Sequence, residues 1–143
     1  MDTSNRDIYK SALGLLGEIS DPTLCEDYED RAPYLLASFC TVVLDTDKRL
    51  RSESGLDPTP KFSPVFLALD GTFPLCDQLI PSATFYLAAM LVIDENPDLS
   101  DSIYEKYCDC IAAASTPKTT PDTSGPSTAY ATCESIVEKY FFD

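Results

Sequence analysis

Residues 85 to 93 read FYLAAMLVI, the longest unbroken apolar run in the chain. Nothing else in the sequence limits the available folds as much. Nine residues cannot cross a hydrocarbon layer that needs about 20, so no membrane partner is expected. Read as a helix from Leu79 or Pro81 to Glu95, the segment is apolar on most of its circumference. Such a helix must be covered on several sides. It is therefore predicted at the centre of a bundle, with Leu87, Met90, Leu91 and Ile93 in the core. The small residues Ala83, Ala88 and Ala89 would let neighbouring helices approach closely.

Three further helical segments can supply that cover. The first spans about residues 4 to 17. Ser4 with Asp7 resembles a capping box, Ile8, Ala12, Leu15 and Leu16 follow a helical period, and Gly17 is a natural stop. After the turn SDPTL, a long helix is predicted from about Glu26 to Leu50. Acidic residues fill its first turns (Glu26, Asp27, Glu29, Asp30) and Lys48, Arg49 and Arg51 its end, an order that suits the helix dipole. Its stripe is Tyr28, Ala32, Leu35, Leu36, Phe39, Val43 and Leu50. Pro33 either kinks this helix or marks its true start. Asn96-Pro97 opens the last one, which runs to about Ala114. Leu99, Ile103, Tyr107, Cys110, Ile111 and Ala114 form its buried side, and Asp98, Asp101, Glu105 and Asp109 its polar side.

Two stretches lie outside this helical pattern. Residues 52 to 64, SESGLDPTPKFSP, read as a loop, and VFLALDGTFPL follows at 65 to 75. Asp70-Gly71 between apolar segments is a hairpin signal, because a type I′ turn needs positive φ at both central positions. Pro74 allows only an edge strand, and a lone hairpin must pack on helices or on a neighbouring subunit. Residues 115 to 128, STPKTTPDTSGPST, form a flexible linker whose fourteen residues reach about 45 Å when extended. In the following AYATCESIVEKYFFD, Ala129, Cys133, Ile136, Val137, Tyr140 and Phe141 fit a short amphipathic helix. Such a helix is marginal alone in water, so it must dock on its own domain or on a partner. The expected fold is mainly α: a small four-helix bundle over residues 1–114 with a short β-hairpin, a linker at 115–128, and a tethered C-terminal docking helix at 129–143.

Composition narrows the function. The chain has 24 acidic and 10 basic residues, a net charge of -14, and it repels nucleic-acid phosphates unless its cations cluster. The one basic group, Lys48, Arg49 and Arg51, sits beside Asp45, Asp47 and Glu53 and reads as a solvated helix end. The absence of histidine removes the commonest general base and metal ligand. No phosphate-cradling glycine motif occurs, and Asp101, Glu105 and Asp109 read as a solvated helix face. No catalytic, cofactor-binding or metal-ligating residue is predicted, and the expectation is that the chain is not an enzyme. The opening MDTSNRDIYK has no apolar signal region. Synthesis in a cytosol is expected, with the six cysteines mostly free thiols and Cys40 and Cys110 buried as small hydrophobes.

Taken in order, three stretches resemble the head-tail connector (adaptor) family of tailed bacteriophages. They are DIYKSALGLLGE at 7–18, YEDRAPYLLASFCTVVLD at 28–45 and FPLCDQLIPSATFYLAAMLVIDENPDLSDSIYEKYCDCI at 73–111. Pro81 through Ile111 resemble the family's last two bundle helices: a proline-opened apolar helix, an acidic break, then an amphipathic helix with spaced tyrosines. The likeness covers about residues 5 to 114. It implies a homo-oligomeric ring, usually of twelve copies, in the virion neck. The ring would sit between the portal protein and the tail or other neck proteins, with genomic DNA passing through its lumen without sequence-specific binding. The resemblance carries no cofactor and no catalytic residue. In that reading the C-terminal arm reaches a portal subunit or a neighbouring copy, and Phe66, Leu67, Asp70, Gly71 and Phe73 belong to an intersubunit or lumen hairpin. Two alternatives stand beside it. One is a tail completion or neck protein one layer further from the portal. The other is a small acidic intracellular binding module of inhibitor type, monomeric or dimeric and absent from the particle.

Overall fold

The computed structural model describes residues 2–17 and 22–116, leaving aside the side chains of residues 22–25. Residues 117–128 of the linker, and the arm residues Ala129, Cys133, Ile136, Val137, Tyr140 and Phe141, lie outside the described residues. The described part is mainly helical. Helices α1 (Asn5–Leu16), α2 (Pro22–Val42) and α3 (Leu44–Ser54) are followed by an irregular stretch and a 3-10 turn, Asp77–Leu79. Helices α4 (Ile80–Val92) and α5 (Pro97–Ser115) complete it.

Helix α4 takes the central place its composition demands. It packs against α1, α2 and α5, and Ala83, Leu87, Ala88, Ala89 and Leu91 have no exposed surface. Burying a leucine this completely contributes about 2 kcal/mol. Ser100 at the start of α5 is also buried, and its hydroxyl donates to the Ala89 carbonyl at 2.8 Å, which stitches the two helices together. Two arginines close helix ends. Arg31 of α2 donates to the Met90 carbonyl at 3.0 Å in the last turn of α4, and Arg49 of α3 donates to the Ala114 carbonyl at 2.6 Å in the last turn of α5. Carbonyls in a final turn lack helical partners, so a cation there is doubly favoured.

Helix α1 is capped as its sequence suggests. The Ser4 hydroxyl accepts from the Asp7 amide at 3.1 Å, the Asp7 carboxylate accepts from the Ser4 amide at 3.3 Å, and Gly17 ends the helix at φ 67°. Its buried face differs from the expected one. Ile8, Tyr9, Ala12, Leu13 and Leu16 are buried, whereas Leu15 is exposed. At 100° per residue Leu15 lies about 90° from the centre of the buried face. Ile93, expected in the core, is also exposed, at the C-cap of α4.

The long helix expected over Glu26–Leu50 is two helices among the described residues, and the break falls at Val43 rather than Pro33. Val43 has φ -98° and ψ 13°, outside the helical range. Pro33 sits inside α2, which begins at Pro22, so it does not mark the helix start.

The β-hairpin does not form. Strand pairing among the described residues is limited to one isolated antiparallel bridge, Ser4 with Thr72. The turn is real but shifted: Gly71 closes it by donating to the Ala68 carbonyl at 3.0 Å. Neither Asp70 nor Gly71 has positive φ, so the type I′ geometry is absent. A glycine still suits position 71, since a Cβ there would stand 3.3 Å from the Ala68 oxygen. The groups a hairpin would pair across are taken by other elements. The carbonyls of Gly71 and Leu69 accept from the Asn5 and Arg6 amides, each at 2.9 Å, and Phe73 donates to the Thr3 carbonyl at 2.8 Å. The first amides of a helix have no partner within it, so the loop supplies what α1 lacks, and Leu67 donates to the Pro33 carbonyl of α2 at 3.1 Å.

Candidate functional site

One buried carboxylate ties both ends of the loop from Gly55 to Cys76 to α3. Asp47 of α3 has no exposed surface. It accepts from the Cys76 amide at 2.7 Å, from Arg51 Nε at 2.8 Å and from the Thr59 hydroxyl. Burial pushes the Asp47 pKa up, but the hydrogen bonds from Thr59, Cys76 and Arg51 outweigh it and hold the carboxyl below its ordinary value. Arg51 extends the latch, donating to the Pro74 carbonyl at 2.8 Å and the Asp57 carbonyl at 3.0 Å. The reading of Lys48, Arg49 and Arg51 as a solvated helix end therefore survives only for Lys48, which is exposed. The other two tie α3 to the loop and to α5.

The latched loop presents an apolar surface. Phe66 packs edge-on against Tyr34 of α2, with ring centroids 5.1 Å apart and planes at 72°. Both rings are about half exposed, as is their neighbour Val65. Single exposed hydrophobes are ordinary on soluble proteins, but these are contiguous and continue along α2. Residues 32 to 44 contain no charged side chain, in a chain of net charge -14. Within that stretch Tyr34, Ser38 and Val42 are exposed at four-residue spacing on one face, and Val42 is 72% exposed. A patch of this kind, edged by charge, is the usual mark of an interaction surface.

The candidate hairpin residues divide between core and surface. Leu67 and Phe73 are buried and cannot reach a partner without unfolding the loop. Phe66 belongs to the exposed patch, Gly71 closes the turn, and exposed Asp70 pairs with Arg6 at 3.2 Å. A second exposed pair joins Arg6 to Glu29 at 3.3 Å, and surface pairs of this sort contribute at most about 1 kcal/mol. Sequence reasoning missed Tyr34, Val42 and Val65. The charge-free stretch of residues 32–44 was the available signal, hidden because the same residues also carry the core stripe of α2.

The remaining titratable groups offer little reactivity. Among the described residues Cys40, Cys76, Cys108 and Cys110 are free thiols. Burial pushes Cys40 up to about 12, with the Asp47 charge adding to it. Burial, then Asp47, pushes Cys76 up to about 11. Burial also raises Cys108 and Cys110, so all four are protonated near neutral pH. Asp101, Glu105 and Asp109 are exposed on α5. Among the described residues no group of three or more His, Cys, Asp or Glu could hold a metal ion. No helix among them is long and apolar enough to cross a membrane. An open groove of about 610 Å3 lies beside the latch, lined in part by Arg51, Leu56, Phe73 and Gln78, but its guanidinium is already spent on Asp47 and two loop carbonyls. No protein-family model, no curated protein and no solved structure matches this chain.

Proposed function

We propose that the chain is a structural subunit of the tailed-phage neck: a helical adaptor that assembles with copies of itself into a ring joining the portal protein to the tail. The observation that carries this reading is the exposed, charge-free C-terminal part of α2, with Tyr34 and Phe66 in contact at its edge. Aromatic anchors of this type supply the centre of protein interfaces. A stable interface buries about 800 Å2 per partner, so these side chains form its middle and the surrounding polar residues its rim. The acidic charge suits a passage whose walls must not hold DNA. The resemblance in helix order over residues 5 to 114 supports the same assignment. Because Leu67 donates to the Pro33 carbonyl at 3.1 Å, the adjoining Phe66 and Tyr34 keep a fixed geometry and lose little entropy on association.

The test is assembly. The purified chain is sized alone and mixed with a tailed-phage portal protein, and the products are sized by native mass spectrometry and viewed by electron microscopy. The reading expects a ring of this chain on the portal and expects Phe66→Ser to abolish it with helical circular dichroism unchanged. A wild-type chain that stays monomeric and never joins the portal or its complexes would remove the proposal.

A further inference from the structure

A groove of about 380 Å3 opens where α3, α4 and α5 meet, lined in part by Leu50, Pro81, Cys110, Ala113, Ala114 and Thr116. Leu50 is buried at its floor, and Cys110 and Ala114 are half-buried in its wall. Thr116 is both a wall of the groove and the last described residue, so the chain departs from the groove's own edge. The sequence then runs through twelve Pro-, Ser- and Thr-rich residues, 117–128, to the apolar series Cys133, Ile136, Val137, Tyr140 and Phe141. Twelve residues reach about 40 Å when extended, ample for a return to the groove. A short tether holds its end at an effective concentration of about millimolar, so even a weak apolar contact is largely closed.

We infer that residues 129–141 dock in the α3–α4–α5 groove of their own chain, laying Cys133, Ile136, Val137, Tyr140 and Phe141 over Pro81, Cys110 and Ala113. The occupant follows from where the chain leaves the bundle: the nearest apolar segment to this groove is the one tethered at its rim. The series at 129, 133, 136, 137, 140 and 141 has the spacing of a single helical face. Docking shields Cys110 and leaves Cys108, which does not line the groove, as it was. The inference does not depend on the neck assignment.

The test reads thiol protection in the full chain. Alkylation by a maleimide is followed by peptide mass spectrometry, which reports each cysteine separately. Cys110 should react about tenfold more slowly in the unaltered chain than in an Ile136→Asp/Tyr140→Asp chain, with Cys108 equal in both. Protection should persist on dilution from about 100 μM to about 100 nM, because a tethered contact does not depend on concentration. Equal Cys110 rates would overturn the inference, and protection lost on dilution would assign the groove to a second copy. Buried Cys40 reports whether the body stays folded. If it becomes reactive in the variant, the unaltered chain decides. A short thiol crosslinker then joins Cys133 to Cys110 within one chain in clear preference to Cys108 if the segment docks; equal yields at the two cysteines, or crosslinks between two chains, would overturn it.

Discussion

Replacing Asp47 with asparagine removes one negative charge from a site with no solvent exposure. The amide oxygen can still accept from the Cys76 amide, which lies 2.7 Å from one carboxylate oxygen. The amide nitrogen then faces Arg51 Nε, which the wild-type carboxylate meets at 2.8 Å, so a donor opposes a donor. Arg51 is left with its carbonyl partners Pro74 and Asp57 but without an anion. Removing one partner of a buried pair costs about 3–5 kcal/mol. The two carbonyls and the 14% exposure of Arg51 put Asp47→Asn at the lower end, about 3 kcal/mol, or a melting point lower by about 12 °C. Urea unfolding followed by helical circular dichroism measures this directly, and hydrogen exchange of the Cys76 amide should accelerate in step. The paired change with Arg51→Gln should cost clearly less than the sum of the single changes. A loss below about 1 kcal/mol at unchanged m-value would refute the latch as drawn.

Acid should act on the same group. The Asp47 carboxyl is held below its ordinary value in the folded chain, so the unfolded chain binds more protons below about pH 4, and the latch's contribution, full at neutral pH, fades as pH falls through the folded pKa. Urea midpoints at pH 7 and pH 3 should therefore fall further in the wild type than in Asp47→Asn; equal falls would show that other carboxylates dominate. Ser4→Ala removes the acceptor for the Asp7 amide and should lower stability by about 1 kcal/mol, measured the same way, whereas no change would mean that the loop alone caps α1. Ala88→Leu places a larger side chain where Ala88 has no exposed surface and should cost about 1–3 kcal/mol; a neutral result would contradict close packing around α4.

The legible parts of this fold are those set by neighbours in sequence. Ser4, Asp7 and Gly17 bound α1 because caps act across three or four residues. Asn96-Pro97 opens α5 in the same way, with the Asn96 side chain accepting from the Leu99 amide at 3.1 Å. The run FYLAAMLVI declares α4 central because no amphipathic alternative exists for it. What escaped the sequence depends on partners far along the chain. Asp47 and Arg51 look like an ordinary exposed pair at four-residue spacing until Thr59 and Cys76, 12 and 29 positions away, return to bury them. Asp70-Gly71 signalled a turn correctly, but the backbone groups of that segment went to α1 and to Pro33 instead of to each other. The Tyr34–Phe66 contact joins residues on different elements, so no window of sequence contained the candidate surface.

The assignment to a phage neck meets its most direct test in the particle itself. Under the proposed assignment, virions are purified from a culture that expresses this chain and digested, and its peptides are quantified against those of the portal protein by mass spectrometry with isotope-labelled standards. A ring subunit stacked on the portal should appear at a copy number close to that of the portal. Absence from the particle, with the chain abundant in the producing cells, would contradict the assignment and favour an acidic binding module that acts inside the cell.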